Sequence, residues 1–236
     1  SNFLSEEQIA TFAVNSYRYP NAQVVANLKR YYPFADITTH TTGYVSRINQ
    51  NDVKKLEAEG KIDNYEGSTE IGKLGIEKYY EDYLHGVTGS SKVEVNSHGQ
   101  VVRTLNFDPP EPGKDITLTL DIRLQYYAQE IFGKMKGAVV AIEPSTGEIL
   151  AMYSNPSYDP NPFVRGIRGG EYQRLLNNPG HPLINRATQG GYAPASTVKP
   201  LMCLMGLNEG LMTPSSSFFG PPYFKLPGST HQFRDW

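Results

Sequence analysis

Residues 137–155 read GAVVAIEPSTGEILAMYSN, and this stretch decides the fold of the second half of the chain. Two apolar runs, 138–142 and 149–153, flank the residues EPSTGE. Pro144 and Gly147 are types that tight turns select, because proline presets a negative φ and glycine accepts a positive one. The pattern therefore predicts an antiparallel β-hairpin.

Upstream of this hairpin, residues 106–115 read NFDPPEPGKD. Prolines this dense exclude a helix interior or a central strand, so we place a domain boundary here. It divides the chain into 1–113 and 114–236. Beyond the boundary, Asp121 is predicted to cap an amphipathic helix that runs to about Phe132. Antiparallel hairpins with flanking helices indicate an α+β fold rather than a doubly wound parallel sheet.

The first 113 residues carry mixed signals. The predicted elements are strands over 44–48, 92–95 and 101–105, a turn at 97–100 and a helix over 71–84 that stops at Gly86. On that helix, a tyrosine cluster is interpreted as core packing: Tyr79, Tyr80 and Tyr83. A group of charged residues is interpreted as its solvated side: Glu77, Lys78, Glu81 and Asp82.

Composition narrows the function classes. The 236 residues include 39% hydrophobic and 19% charged residues and carry a formal net charge of −2, which is ordinary for a soluble globular protein and disfavours nucleic-acid binding. No apolar run approaches the roughly 20 residues that span a bilayer, and Cys203 has no second cysteine to pair with. The five histidines show no metal-ligand spacing, so we expect no metal and no cofactor: His40, His85, His98, His181 and His231.

The strongest local candidate for chemistry is the stretch 196–200, STVKP. In a helix, Lys199 lies on the same face as Ser196, and a desolvated neutral lysine can take the proton of a serine hydroxyl. Pro200 is tolerated only near a helix start, which puts Ser196 at or just before the helix N-terminus, where developing negative charge is stabilised. Ser-x-x-Lys also arises about once by chance in a chain this long, so an ordinary capping serine beside a solvated lysine stays open.

Longer segments give this motif a context. The segment NRATQGGYAPASTVKP (185–200) resembles the approach to the active serine of class B penicillin-binding proteins. Further segments resemble other parts of the same family, in the family's order: 137–161 the opening hairpin of its transpeptidase domain, 31–48 and 72–89 its N-terminal pedestal, and 116–125 the linker and helix between them. Residues 225–228 and 234–236 resemble elongation-type members more than division-type ones.

The resemblance implies a pedestal (1–113) followed by the first part of a penicillin-binding, serine β-lactamase-like transpeptidase domain (114–236). It implies peptidoglycan cross-linking by acyl transfer, with Ser196 as nucleophile and Lys199 as base, and covalent inhibition by β-lactams. The implied partners are stem peptides, a polytopic glycosyltransferase and a rod-shape scaffold protein, with no nucleic acid. The implied location is the periplasmic side of the bacterial inner membrane, reached through an anchor absent from this chain, which is itself expected to be soluble.

The chain departs from the family in one respect. The family's later Ser-x-Asn and Lys-Thr/Ser-Gly motifs do not occur between Lys199 and Trp236, so we expect this chain alone to be inactive. Two alternatives follow: a non-catalytic module whose pedestal docks partners of the elongation complex, and a serine β-lactamase or β-lactam sensor. The pedestal-like first half argues against a stand-alone β-lactamase.

Overall fold

The computed structural model describes residues 4–19, 22, 24, 28–97 and 101–234. The chain forms two compact units, Ser1–Gly190 and Gly191–Trp236. Its helices are α1 (Glu6–Asn15), α2 (Thr39–Thr42), α3 (Gln50–Ala58), α4 (Gly75–Tyr79), α5 (Glu81–Leu84), α6 (Ile122–Phe132), α7 (Asn161–Val164), α8 (Gly169–Leu176), α9 (Arg186–Gln189) and α10 (Lys199–Asn208). Its strands are β1 (Val45–Arg47), β2 (Glu70–Gly72), β3 (Ser90–Val95), β4 (Val101–Asp108), β5 (Gly137–Ile142), β6 (Ile149–Asn155), β7 (Tyr223–Lys225) and β8 (Gln232–Arg234).

The strands pair as antiparallel two-stranded sheets, β1 with β2, β3 with β4, β5 with β6 and β7 with β8. This mixture of helices and antiparallel hairpins confirms the predicted α+β class. The hairpin predicted around 137–155 is formed by β5 and β6, with Gly147 at φ +78° in its turn. The hairpin of β3 and β4 is also formed, while residues 98–100 of its predicted turn lie outside the described residues.

The helix predicted over 71–84 is wrong in its N-terminal part and broken in its middle. Residues 70–72 are a strand instead, in which Ile71 pairs with Ser46 of β1. Helix α4 starts only at Gly75, which has a φ of +59°, and it ends before Tyr80. Long-range strand pairing overrides the helical spacing of the apolar residues here, as tertiary context often does.

Helix α6 lies against β6, and its N-cap is Asp121, as predicted: the Asp121 carboxylate accepts a hydrogen bond from the Arg123 N–H at 2.8 Å. The Arg123 guanidinium and this N–H together lower the pKa of Asp121 to about 2. The buried side chains around this layer come from both halves of the chain: Ile37, Val45, Ala128, Ala151, Tyr153, Tyr158, Phe163 and Val164.

Polar groups tie residues 31–46 to the segments after residue 120. Gln125 is fully buried; its amide donates to the carbonyls of Ile37 at 3.0 Å and Met152 at 3.1 Å and accepts from the Met152 N–H at 2.8 Å. The Asn161 side chain accepts a hydrogen bond from the Tyr32 N–H and donates one to the Tyr32 carbonyl, both at 3.0 Å, as the backbone of a neighbouring strand would. The first compact unit therefore includes segments from both sides of the boundary at 113/114, and that division stays a prediction.

Two parts of the chain expose apolar side chains. Every residue of β3 and β4 is exposed. In the second unit, α10 (KPLMCLMGLN) has no buried residue, and Leu201 and Leu204 are 66% and 62% exposed. A helix of this composition is normally buried, so in this chain its apolar surface is unpartnered within the described part of its own unit.

Candidate active site

Ser196 lies in a 3₁₀ turn, Ala195–Val198, that leads directly into α10, and Lys199 is the first residue of that helix. Pro200 occupies the first helical turn, where its missing N–H breaks no hydrogen bond. The structure therefore places Ser196 just before the helix N-terminus. The Ser196 carbonyl accepts the Lys199 N–H, so the two residues are consecutive corners of one turn.

The backbone before Ser196 is strained. Ala195 has a φ of +47°, in the left-handed region that a residue with a Cβ adopts only at a cost. The turn is closed by the Pro194 carbonyl, which accepts from the Thr197 N–H at 3.1 Å and from the Thr197 hydroxyl. Such strain often accompanies a residue that is presented for chemistry.

Ser196 and Lys199 are both exposed. Within the described part of the second unit, neither side chain has a hydrogen-bond partner. A lysine serves as a general base only when it is neutral, and enclosure away from water promotes that form. The predicted nucleophile and the predicted base therefore lie three residues apart at the start of α10, and both side chains are exposed.

The charged face predicted on residues 77–82 needs correction, because Glu77 is buried. Its carboxylate accepts from the Tyr32 hydroxyl at 3.0 Å and from Arg30 Nε at 2.9 Å. The Tyr32 hydroxyl in turn accepts the Val45 N–H at 2.8 Å. Burial raises the pKa of Glu77 and that of Tyr32. Glu77 thus links its own helix to residues 30–32 and, through Tyr32, to β1. This structural role cannot be inferred from the spacing of charged residues along the sequence.

The tyrosine cluster predicted as core is also wrong. Tyr79, Tyr80 and Tyr83 are 82%, 40% and 51% exposed. The helix is interrupted at Tyr80, between α4 and α5, and all three side chains lie at the surface.

A metal site needs several ligands close together. Across residues 4–97 and 101–234, apart from the gaps between 20 and 27, no three His, Cys, Asp or Glu side chains gather closely enough to hold an ion. His98 lies outside the described residues. Within the same part of the chain, no helix has both the length and the apolar character needed to cross a bilayer.

Comparison with known families agrees with this arrangement. Residues 1–118 match the family described as "Penicillin-binding Protein dimerisation domain". Residues 137–236 match the "Penicillin binding protein transpeptidase domain". The second match contains Ser196 and Lys199.

Curated relatives cover nearly the whole chain. The "Peptidoglycan D,D-transpeptidase MrdA" of Escherichia coli K12 is 51% identical over 233 residues, which are 99% of this chain and 37% of that protein. The protein of the same name from Haemophilus influenzae is 50% identical over 99% of this chain and 36% of its own length. The chain thus spans a little more than a third of these relatives.

Solved structures give the same result. Pseudomonas aeruginosa PBP2 in complex with WCK 5153 matches with a TM-score of 0.74 and 43% identity over 91% of this chain and 43% of that chain. Helicobacter pylori PBP2 in complex with MreC matches with a TM-score of 0.84 and 31% identity over 100% of this chain and 42% of that chain. The chain therefore belongs to the penicillin-binding protein family, with a dimerisation domain followed by transpeptidase-domain sequence.

Proposed function

We propose that this chain is part of a peptidoglycan D,D-transpeptidase of cell elongation, in which Ser196 is the acylated nucleophile and Lys199 the general base. The observation that carries the proposal is the placement of Ser196 in the strained turn that enters α10, with Lys199 at the first position of the helix. The 51% identity to the E. coli D,D-transpeptidase supports the reaction class.

The proposed chemistry is acyl transfer. Ser196 Oγ attacks the carbonyl carbon of the penultimate D-alanine of a stem peptide while Lys199 Nζ takes the hydroxyl proton. The tetrahedral oxyanion accepts a hydrogen bond from the Ser196 N–H, and collapse breaks the peptide bond and expels the terminal D-alanine, whose amine receives the proton. The amine of a second stem peptide then attacks the Ser196 ester, forming the cross-link and restoring the hydroxyl. A β-lactam acylates Ser196 by the first half of this sequence.

Domain division and location belong to the same proposal. Residues 1–113 serve as the pedestal and 114–236 as the opening of the transpeptidase domain. The whole protein acts on the periplasmic side of the inner membrane and is anchored to that membrane. Stem peptides and a polytopic glycosyltransferase are its proposed partners, together with a rod-shape scaffold protein of the MreC kind.

A second function, docking without catalysis, is favoured by one observation. The hairpin of β3 and β4 exposes apolar side chains along its length, with Val95, Val101 and Phe107 at 52%, 62% and 63%. Exposed apolar surface of this kind is typical of interaction sites. The related H. pylori protein was solved in complex with MreC, which supports a pedestal that binds a scaffold protein.

The test is labelling with a fluorescent penicillin, followed by peptide mapping. In the full-length protein we expect an adduct on Ser196 that Ser196→Ala abolishes and Lys199→Ala reduces by about 100-fold or more. The matched control is Lys225→Ala, which removes an exposed lysine of β7 and should leave labelling unchanged. For a chain verified to end at Trp236 we expect no labelling and no turnover of a D-Ala-D-Ala peptide. Undiminished labelling of Ser196→Ala would refute the assignment and leave the docking function.

A further inference from the structure

A groove of about 560 Å³ lies between residues 31–35 and residues 159–171, inside the first compact unit. Residues 31–35 belong to the dimerisation-domain match, and residues 159–171 belong to the transpeptidase-domain match. Ligand sites of this size occur preferentially where two domains meet. The lining of the groove includes Tyr31, Ala35, Asp159, Arg165, Arg168 and Glu171.

Hydrogen bonds fix the two walls of the groove to each other. The Asn161 side chain bonds the N–H and the carbonyl of Tyr32, both at 3.0 Å. The Asp159 Oδ1 accepts the Asn161 N–H at 2.9 Å and the Asn161 side-chain amide at 2.8 Å. Tyr32 itself is buried. The walls are therefore held in place before any ligand arrives, so binding needs little further ordering of the protein.

The backbone of the groove is unusual on both sides. Ala35 has a φ of +41°, in the left-handed region that a residue with a Cβ adopts only at a cost, and its N–H donates to the Tyr32 carbonyl at 3.2 Å. On the opposite wall, Gly166 has a φ of +83° and lies between Arg165 and Arg168. Strained backbone such as that of Ala35 is concentrated at functional sites, including those that hold ligands.

Four charged side chains line the groove without pairing. Arg165 and Arg168 are exposed, and neither guanidinium has an ion-pair or hydrogen-bond partner in the part of the chain that the structure describes. Among the same residues, the Asp159 Oδ2 and the Glu171 carboxylate also have no partner. The groove therefore offers strong donors and strong acceptors, while its lining carries no net charge.

Tyr31 adds an aromatic surface to the groove. Its side chain is 66% exposed, so the apolar face of the ring and its hydroxyl are both open to a ligand. A sugar ring has the complementary structure, because its face carries C–H groups and its rim carries hydroxyl and acetamido groups that donate and accept. An anion fits less well, since Asp159 and Glu171 repel it.

We propose that this groove binds a chain of N-acetylated sugars, and that its natural ligand is the glycan strand of peptidoglycan. Tyr31 packs against the face of one sugar ring. Arg165 and Arg168 donate to acetamido and hydroxyl oxygens, and Asp159 and Glu171 accept from hydroxyl groups. The sugar chemistry follows from the groove, whereas the choice of peptidoglycan rests on the proposed function. The groove thus binds the glycan part of a polymer whose stem peptides undergo the proposed acyl transfer.

The test is isothermal titration calorimetry of the full-length protein with the tetramer of N-acetylglucosamine, an uncharged probe that carries no stem peptide. Ser196 is first acylated with penicillin, so that the proposed site of acyl transfer is occupied, and we expect the tetramer still to bind. Tyr31→Ala should weaken binding by about fivefold, because it removes the aromatic face. Arg165→Ala and Arg168→Ala should each weaken it by about tenfold, because each removes charge-assisted hydrogen bonds.

The matched controls are Tyr79→Ala and Arg174→Ala. Tyr79 is 82% exposed, and Arg174 is an exposed residue of α8; neither lines the groove. Both variants should bind the tetramer as the unsubstituted protein does. All the substituted side chains are exposed, so each variant should fold, and thermal unfolding verifies this.

Three results would overturn the inference. The first is no binding of millimolar tetramer to the acylated protein, and the second is equal affinity in the groove variants and the controls. The third is binding of anionic phospholipid vesicles in place of the tetramer, lost in Arg165→Ala and Arg168→Ala, which would make the groove an anion site. Penicillin labelling that persists in Ser196→Ala would instead remove the proposed function and the assignment to peptidoglycan, while the tetramer titrations would still decide whether the groove binds sugar.

Discussion

Residues 137–189 and residues 199–208 lie in the same family match, yet they differ in how far they are buried. The first stretch is completed by residues 31–46, which lie far away in sequence and satisfy its buried polar groups. The second, α10, exposes apolar side chains all round. The difference lies in the partners of the two stretches: residues 31–46 cover part of the first, whereas α10 has no cover within the described part of its unit.

The largest loss of unfolding free energy should come from removing the hydrogen bonds of Gln125, which join residue 37 to residue 152. Gln125→Ala removes three hydrogen bonds and leaves the Ile37 carbonyl and the Met152 N–H without the partner that Gln125 gave them, while the Met152 carbonyl keeps its bond from the Thr41 hydroxyl. We expect a loss of about 3–5 kcal/mol of unfolding free energy in this chain, measured by urea denaturation followed by circular dichroism. The exposed Gln173 of α8 is the matched control, and Gln173→Ala should cost less than about 0.5 kcal/mol. Equal losses in the two variants would mean that the three hydrogen bonds of Gln125 contribute no more than an ordinary surface residue does.

The second prediction concerns the pH dependence of stability at His40, which lies in the covering segment 31–46. The His40 Nε2 is buried without a hydrogen-bond partner among the described residues, and burial lowers the pKa of His40 to about 4. The unfolded chain, with a histidine pKa near 6.5, binds the proton first, so stability falls as pH drops from about 6.5 and levels off below about 4. The total loss from this group should be roughly 3 kcal/mol.

The measurement for His40 is the pH dependence of the melting temperature between pH 7 and 4. Glu77, whose pKa is raised by burial, also titrates in the acid range, so the comparison is made between variants that all retain it. His40→Gln should flatten the profile relative to the unsubstituted chain, whereas Gln173→Ala, at an exposed residue without an ionisable group, should not. Parallel profiles for all three proteins would contradict the assignment.

The smallest effect is expected in α10. Leu204→Glu replaces a side chain that is 62% exposed and should change the unfolding free energy of this chain by less than about 0.5 kcal/mol. The buried counterpart is Val164→Glu at 3% exposure, which should cost several times more. A large loss for Leu204→Glu, by denaturation under the same conditions, would show that α10 is covered and would remove the contrast between the two stretches.

Much of the local structure could be predicted because its causes are local. The turn EPSTGE, the Asp121 cap and the stop of helical character before Gly86 depend on residues a few positions apart. The placement of Ser196 before a helix followed from Pro200, since proline is excluded from a helix interior. The roles of Ser196 and Lys199 stay predictions.

Several features could not be predicted, and each depends on a distant partner. The pattern of charges predicts a solvated Glu77, but its carboxylate is buried, where it pairs with Arg30 and accepts a hydrogen bond from the Tyr32 hydroxyl. The pairing of β2 with β1 replaces the first residues of the predicted helix by a strand. Asn185 is the N-cap of α9, a role that its residue type could have revealed, whereas the bond from its amide to the His40 carbonyl at 2.9 Å has no local signature.

By itself, the sequence determined the hairpins β3–β4 and β5–β6, the Asp121 cap, the α+β class and the family, because these rest on turn chemistry, short-range spacing and long matched segments. Only the tertiary structure decided which polar side chains are buried, where α4 and α5 separate, and how residues 31–46 complete the layer after residue 120. The physical reason is that a buried polar group is stable only beside its partner. For Gln125 that partner lies 88 residues away, a separation that no periodicity in the sequence encodes.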